Sequence, residues 1–537
     1  MSSDQKLFIH VLIHVATEMK GCGRIHHIFG IAGDPITPLI EYVESRGIKY
    51  YGFRNEQAAS YAASSISFLS RGSQVGVCLT VAGPGMVNAL TGCGNAQVNE
   101  WPMLLVCPFT PNLLEFQYIN QIDAIKGLSK GYIFYQSGKG SIQRAIDLAC
   151  TPPYGCVVLF VPKSPPSAIP PLPSPISVRE PFTGGGSLEI SPNANVLAVI
   201  GSSVVLKPPE VYSAVRGFVE SNKIPFVAES MARGIIEESH ALCVSAARSA
   251  AFRGATVAIL IGTKLDWMLS YGKSPKWNPD CEFIVISDDP LPEMIKGNGP
   301  MHLSFTSLMH DNGGIIFNDS WRSELLETAG KKKAEFASTL DLWRLNHLPT
   351  HIEAMGAIKR AITISGLENA LVVSEGANTM DVAKIALNNV TAPCKRLDAG
   401  RWGTMGSALG FVIAAQALVP DEPVICIQGD SAFGFSGMEI ETIVRYKCKA
   451  VIVVFNNGGI YTGARDNATS FTPGIKHNVL IEAFGGYGFA TNGGDAHRVL
   501  DEMLRAFDFL KHGKYPILVD VDIDPASGSL SGSLSRL

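Results

Sequence analysis

The chain has 537 residues, so at roughly 150 residues per domain it holds three domains or a little more, and a single small module is excluded. Hydrophobic residues make up 46% and charged residues 17%, with 53 Gly and 32 Pro, which excludes a disordered chain and fits turn-rich soluble α/β domains with large cores. Lysine and arginine total 44 against 48 acidic residues, a net charge of -4, so the basic excess that nucleic-acid binding requires is missing. The 11 cysteines include no C-x-x-C pair, and an odd total leaves one thiol unpaired, which suits a reducing compartment. Apolar runs such as Ala255 to Gly262 and Val451 to Phe455 are too short for a bilayer span and read as buried strands.

Taken in chain order, Lys6 to Lys20 has helical apolar spacing, and its His10 and His14 make it a poor secretory segment. Strands follow at Ile25 to Ile31, Lys49 to Phe53, Gln74 to Thr80 and Met103 to Cys107, with helices at Gln57 to Leu69 and Val87 to Gln97 between them. This is the βαβ rhythm of a parallel sheet. The Pro- and Gly-rich stretch Ser164 to Pro192 marks a first boundary. A second α/β stretch has strands at Asn195 to Ile200, Ile224 to Ala228, Thr256 to Gly262 and Phe283 to Ser287. The charged segment Arg322 to Glu335 reads as a solvated linker helix. A third stretch has strands at Leu371 to Ser374, Val424 to Gln428, Ala450 to Phe455 and Ile517 to Val521. The expected architecture is α/β, three doubly wound parallel-sheet domains over 1–175, 190–330 and 350–537.

The most informative stretch runs from Val424 to Tyr461: a strand ending in Gly429-Asp430-Ser431, a helix around Met438 to Tyr446, another strand, then Asn456-Asn457-Gly458-Gly459. A right-handed crossover of this length brings Asp430 and Asn457 to the carboxyl ends of two parallel strands, where open α/β sheets bind ligands. A carboxylate, an amide oxygen and a backbone carbonyl such as that of Gly459 suit a hard divalent cation that keeps positions free for phosphate oxygens. Mg²⁺ holding a diphosphate is the inference. Either piece alone reads as ordinary turn residues after a strand. Together they resemble the diphosphate motif of thiamine diphosphate enzymes, with Ser431 where the family usually has glycine.

That cofactor needs a carboxyl group at its aminopyrimidine N1′, and Glu56 is the candidate, after a strand and at the start of a helix within Arg54-Asn55-Glu56-Gln57-Ala58-Ala59. Glu56 alone would read as a helix-start glutamate on the dipole. The resemblance extends over nearly the whole chain to the acetolactate synthase-like group, and within it to 2-hydroxyacyl-CoA lyases and oxalyl-CoA decarboxylases. It rests on Arg54 to Ser60, Gly83-Pro84-Gly85, Trp101-Pro102, Ser374 to Asp381, Arg396 to Gly400, Gly403 to Gly406 and Gly429 to Phe435.

The resemblance implies pyrimidine-binding, central and diphosphate-binding domains. It implies Glu56 as the activating carboxylate, Pro84 and Asn88 on the pyrimidine side, and Gln117 as a second catalytic residue, on the substrate side. Met405 would be the apolar wedge that bends the cofactor, and the Gly403 carbonyl would accept from its 4′-amino group. Gly429, Ser431 and Ile460 join the cofactor-binding positions, with Asp430, Asn457 and Gly459 as metal ligands. It further implies an acyl-CoA substrate and a homodimer or homotetramer with active sites between subunits, and it allows ADP or CoA at the central domain. The reaction implied is cleavage of a 2-hydroxyacyl-CoA between C1 and C2 to an aldehyde and formyl-CoA. Oxalyl-CoA decarboxylation, an acetolactate synthase-like carboligation and a non-catalytic homologue are the alternatives.

Some positions depart from the family. Its FQELDQ-like segment is here Phe116-Gln117-Tyr118-Ile119-Asn120-Gln121, and a histidine common in the lyases is Asn88. In the central domain Arg248 matches, whereas Lys264 and Ser287 replace an arginine and an aspartate. The last residues, Ser535-Arg536-Leu537, are a conservative variant of the peroxisomal address read by an import receptor, with a cytoplasmic location as the alternative. His10 and His14 lack a third ligand for a metal, and Gly92-x-Gly94-x-x-Gln97 lacks the third glycine of a dinucleotide fingerprint.

Overall fold

The computed structural model describes residues 3–109, 113–163, 182, 188, 190–289, 301–310, 318–388, 390–463 and 467–527. Their strands form three sheets, each parallel throughout. In the first sheet, β1 (His27–Gly30), β2 (Lys49–Gly52), β3 (Gly76–Leu79), β4 (Met103–Phe109), β5 (Gly131–Phe134) and β6 (Cys156–Pro162) run in the order β2-β1-β3-β4-β6-β5. Strand β4, MLLVCPF, is buried at every position, as a parallel sheet covered on both faces requires.

The second sheet has β7 (Val196–Ile200), β8 (Phe226–Ala228), β9 (Val257–Ile261), β10 (Glu282–Ile286) and β11 (Met301–Leu303), in the order β11-β10-β9-β7-β8. The third has β12 (Leu371–Glu375), β13 (Arg396–Leu397), β14 (Val424–Gly429), β15 (Ala450–Asn456), β16 (Tyr487–Ala490) and β17 (Ile517–Asp522). Its order, β13-β12-β14-β15-β17-β16, repeats that of the first sheet strand for strand. The three parallel-sheet α/β domains expected from the sequence are therefore present.

By internal contacts the chain groups into two compact units. One comprises Met1–Pro181, Arg401–Pro420 and Ser436–Tyr446, and the other Phe182–Gly400, Asp421–Phe435 and Lys447–Leu537. In the first unit the helix Glu56–Leu69, EQAASYAASSISFL, is buried from Ala58 to Phe68, and its small residues explain how. They let two helices approach backbone to backbone: a Cβ on Gly410 of the helix Ala408–Leu418 would lie 2.6 Å from the Ala58 carbonyl. On the helix Pro84–Asn99, the Gly92 amide donates to Ser60 Oγ at 3.1 Å.

Several elements differ from the sequence reading. The helix expected from Val87 starts at Pro84, where proline's fixed φ and missing N–H cost nothing. The segment read as a solvated linker helix is a helix, Asp319–Leu340, but not a fully solvated one: Leu325 and Ala329 join the core of the second sheet and Leu340 that of the third. The stretch after β14, read as a strand end, opens a helix at once, Asp430–Ser436. The Ser164 to Pro192 boundary lies almost wholly outside the described residues. No helix among the described residues is long and apolar enough to cross a membrane.

Candidate active site

In the first unit, β2 ends at Gly52 and the chain turns into the helix that begins with Glu56. Asn55 caps that helix, its side chain accepting from the Gln57 amide at 2.8 Å. The Glu56 carboxylate then has both oxygens placed. Oε2 accepts from Asn88 Nδ2 at 3.1 Å, and Oε1 sits where a Cβ on Gly85 would come within 3.1 Å. Gly83 has φ +62° and lies against the Gln117 carbonyl, a position that only glycine fills without strain. Glu56, Pro84-Gly85, Asn88 and the backbone of Gln117 are thus gathered at one end of the helix Pro84–Asn99. Gln117 is exposed and has φ +61°. Asn120, which stands where the family has an acidic residue, donates to Asp123 Oδ2 at 2.6 Å.

One carboxylate here escaped the sequence reading. Glu439 is 1% exposed, and its Oε1 accepts from the Arg54 and Asn55 amides at 3.1 and 2.9 Å. Its Oε2 accepts from Thr442 Oγ1 at 2.6 Å. The Arg54 amide also reaches Oε2 at 3.3 Å; burial is the main influence on the carboxyl group and, despite these four contacts, pushes the pKa up to about 7. Glu439 therefore pins the two residues before Glu56. Of the other first-unit candidates, Gly403 has φ +65°, and its neighbour Thr404 meets the Tyr61 hydroxyl. Met405 is half-buried, and no described hydrogen bond joins Gly403 or Met405 to Glu56.

In the second unit, Asp430 and Asn457 meet. Asp430 Oδ2 accepts from the backbone amides of Asn457 and Gly458 at 3.1 and 2.8 Å, and Oδ1 from that of Ser431 at 2.7 Å. The carboxylate is 4% exposed, and burial raises its pKa. The Asn457 side chain donates to the Tyr461 carbonyl at 3.2 Å, and its Oδ1 has a long contact, 3.4 Å, with the Gly459 amide. A Cβ on Gly459 would lie 2.9 Å from the Thr462 and Thr469 carbonyls, so the loop closes only around a glycine. The exposed Ile460 is held by its own amide, which donates to the Thr469 carbonyl at 2.9 Å.

Beside these strand ends, β12 is followed by Gly376 with φ +90°, where a Cβ would lie 3.2 Å from the Gly429 amide nitrogen. The helix Ala377–Ala386 starts there, with Thr379 Oγ1 3.4 Å from where a Gly429 Cβ would be. Two helix starts and two glycines thus frame a cradle that side chains would fill. The positive ends of the two helix dipoles suit a phosphate group there. The oxygen donors beside it, Asp430, Asn457 Oδ1 and the Gly459 carbonyl, suit a hard cation rather than a thiolate- or imidazole-seeking one. No cluster of three His, Cys, Asp or Glu side chains able to hold a metal occurs among the described residues.

Three family models match the chain. They describe the thiamine pyrophosphate enzyme N-terminal TPP binding domain (residues 13–122), central domain (189–309) and C-terminal TPP binding domain (375–521). The chain belongs to the thiamine pyrophosphate enzyme family. Among curated members of the family, a 2-hydroxyacyl-CoA lyase of Arabidopsis thaliana is 34% identical, the alignment covering 97% of each chain. An oxalyl-CoA decarboxylase of Escherichia coli is 32% identical over 98% of this chain and 97% of the relative. Human 2-hydroxyacyl-CoA lyase 1 is 32% identical over 93% of this chain and 92% of its own. As a thiamine pyrophosphate enzyme the protein has its Glu56 cluster inside the matched N-terminal domain and its Asp430–Asn457 cluster inside the matched C-terminal one.

Proposed function

We propose that the protein is a 2-hydroxyacyl-CoA lyase that uses thiamine diphosphate and Mg²⁺ and releases an aldehyde and formyl-CoA. The observation that carries this reading is the meeting of Asp430 with Asn457 and Gly458 at adjacent strand ends, in a chain similar from end to end to a lyase. Bound thiamine diphosphate supplies an electron sink at its thiazolium ring. Asp430, Asn457 and the Gly459 carbonyl would hold the metal, while Gly429 and the Ser431 side chain would face the diphosphate. Glu56 would share a proton with the aminopyrimidine, its other oxygen occupied by Asn88. Pro84, Gly403, Met405 and Ile460 would shape the cofactor pocket, and Gln117 would face the acyl group.

Active sites shared between two copies of the chain, in a homodimer or homotetramer, belong to the same reading, as do domain limits at 1–175, 190–330 and 350–537. So does a nucleotide end, of ADP or CoA, at the central domain. There Arg248, the position that matches the family, donates to the Met268 carbonyl at 2.6 Å and lies over the Phe252 ring. Ser535-Arg536-Leu537 lies outside the described residues. It would address the protein to peroxisomes, and deleting it should release a tagged protein to the cytoplasm.

The test is an assay of the purified protein with thiamine diphosphate and Mg²⁺ against 2-hydroxyacyl-CoA and oxalyl-CoA. Aldehyde and formyl-CoA in equal amounts support the lyase. Carbon dioxide from oxalyl-CoA alone would establish the second reading, which the 32% identity to the decarboxylase favours. Turnover of neither substrate would overturn both.

A further inference from the structure

A cavity of about 370 Å³ lies within the second unit, and none of the site residues named above lines it. Its walls come from three places: the segment after β8, the helix Asp319–Leu340, and the helices His351–Ser365 and Ala377–Ala386. Five cations line it, Arg233, Lys332, Lys333, Lys359 and Lys384, against the carboxylates Glu238 and Glu335, leaving a net charge of +3. Two of these cations are already engaged. Arg233 Nε pairs with Glu238 Oε1 at 3.2 Å and its Nη1 donates to the Lys384 carbonyl, while Lys384 Nζ lies 3.6 Å from Asp398 Oδ2. Lys333 and Lys359 have no ion-pair partner among the described residues. Burial lowers the Lys359 pKa, the carboxylates of Asp341 and Glu238 opposing it and the charge of the exposed Lys333 adding to it, so Lys359 presents its ammonium in a partly dry space.

Glu238 adds an independent observation. Glu238 lines the cavity, its side chain is 5% exposed, and its Oε2 has no hydrogen-bond partner among the described residues. A buried carboxyl oxygen left unmatched costs free energy that a ligand donor would recover. Phe336 and Ile385 supply apolar wall between the charges, and the volume is in the range that small molecules fill.

We propose that this cavity binds a small organic phosphate. The phosphoryl oxygens sit between Lys333 and Lys359, and a hydroxyl or amino group donates to Glu238 Oε2. Such a ligand ties the central domain to the connecting helix and to the last turn of the helix Ala377–Ala386. The first turn of that helix stands beside Gly429 in the diphosphate cradle. The site is therefore placed to act as an effector site on cofactor binding.

The experiment is calorimetric titration of the holoenzyme, saturated with thiamine diphosphate and Mg²⁺, using ribose 5-phosphate and inorganic phosphate as probes. Ribose and sodium chloride of matched ionic strength are the controls. Expected is one ribose 5-phosphate per chain, with affinity falling roughly tenfold or more in the double variant Lys333→Gln/Lys359→Gln, the cost of one or two charge-assisted hydrogen bonds. Glu238→Gln should keep inorganic phosphate but narrow the preference for ribose 5-phosphate over it. Heat no larger than the chloride control, or unchanged affinity in the double variant, would overturn the site. An acyl-CoA KM raised by the same factor in that variant would identify the phosphate as the substrate's own, and an unchanged KM a separate ligand. The binding readouts do not depend on which acyl-CoA is turned over, so loss of the lyase reading leaves them standing.

Discussion

The first and third sheets are built to one plan, six parallel strands in the same order, yet they carry different chemistry. In both, the order reverses between the first and third strands of the sheet, β1 and β3 in one and β12 and β14 in the other. That is where an open α/β sheet leaves a crevice at its carboxyl edge. The third sheet uses the crevice directly: Gly376 after β12 and Gly429-Asp430 after β14 face each other with no side chain between them. In the first sheet the corresponding end of β1, Gly30, is pressed against the Leu79 carbonyl of β3. Its chemistry moves to the helix after β2, where Glu56 stands over Gly85 and beside Asn88. On the proposed reading the same scaffold would grip in one place and position a proton-sharing group in another. The difference lies in which strand end keeps its glycine free.

If that division holds, the two clusters should fail in different ways. Glu56→Gln is expected to lower turnover by about 10²- to 10⁴-fold, the range for loss of a positioned acid or base, while leaving the cofactor dissociation constant within a few-fold. Steady-state rates and tryptophan-quench titration on the same preparation check both halves. Asp430→Ala should do the reverse at the first step. Because a supporting group around a metal is worth about 10- to 100-fold in affinity, losing a direct ligand should weaken Mg²⁺-dependent cofactor binding by at least about 100-fold. Cofactor that still travels with Asp430→Ala through gel filtration would collapse the distinction.

Much of this was legible in the sequence because it was local. Glu56 follows an apolar strand and opens a small-residue helix, and Gly-Asp and Asn-Asn-Gly-Gly sit at the ends of two apolar runs. What stayed hidden depends on contacts made across the chain. Glu439 looks like any acidic residue on a short helix, since the amides that it receives lie 385 and 384 positions away. The Asn88 contact with Glu56 spans 32 residues of sequence. The two-residue β13 is too short to show a period. The apolar run of β6, CVVLFVP, was visible in composition, but the turn-rich boundary that follows it drew the reading instead.

Two glutamates sharpen the contrast between the units, because each receives backbone amides near a helix start and they titrate in opposite directions. Glu439, in the first unit, is buried with no ion-pair partner among the described residues, and its pKa is raised from 4.5 to about 7. Its contribution to stability is fully present below about pH 4.5 and is lost as pH rises to 7, where folding forces a charge into a dry site. A shift of this size corresponds to something on the order of 3 kcal/mol. Glu439→Gln keeps a carbonyl acceptor for the Arg54 and Asn55 amides without the charge. Urea midpoints between pH 5 and 8 should therefore fall with pH in the parent protein and stay flatter in the variant. Parallel curves would mean that the carboxyl group is neutral throughout or solvated.

Glu353, in the second unit, gives the opposite case and the smallest effect. It completes a capping box with Thr350, accepting from that residue's amide at 2.8 Å, and Arg344 reaches it through Nε and Nη2 at 2.9 and 3.0 Å. Burial alone would raise its pKa, but the Arg344 guanidinium and the amides of Thr350 and Arg344 outweigh it and hold the value at about 2. Stability from this group is present above about pH 4.5 and is lost as pH falls toward 2. Arg344 is half exposed, so solvent screens the ion pair and Glu353→Gln should cost about 1 kcal/mol at pH 7, close to the worth of the cap itself. Thermal melts should show the parent and variant converging as pH drops from 5 to 3. Because Glu439→Gln is expected to diverge from the parent as pH rises from 5 to 7, a double variant distinguishes the two sources. Its acid-side change should come from position 353 and its neutral-side change from position 439, with the two effects adding because the residues share no hydrogen-bond partner.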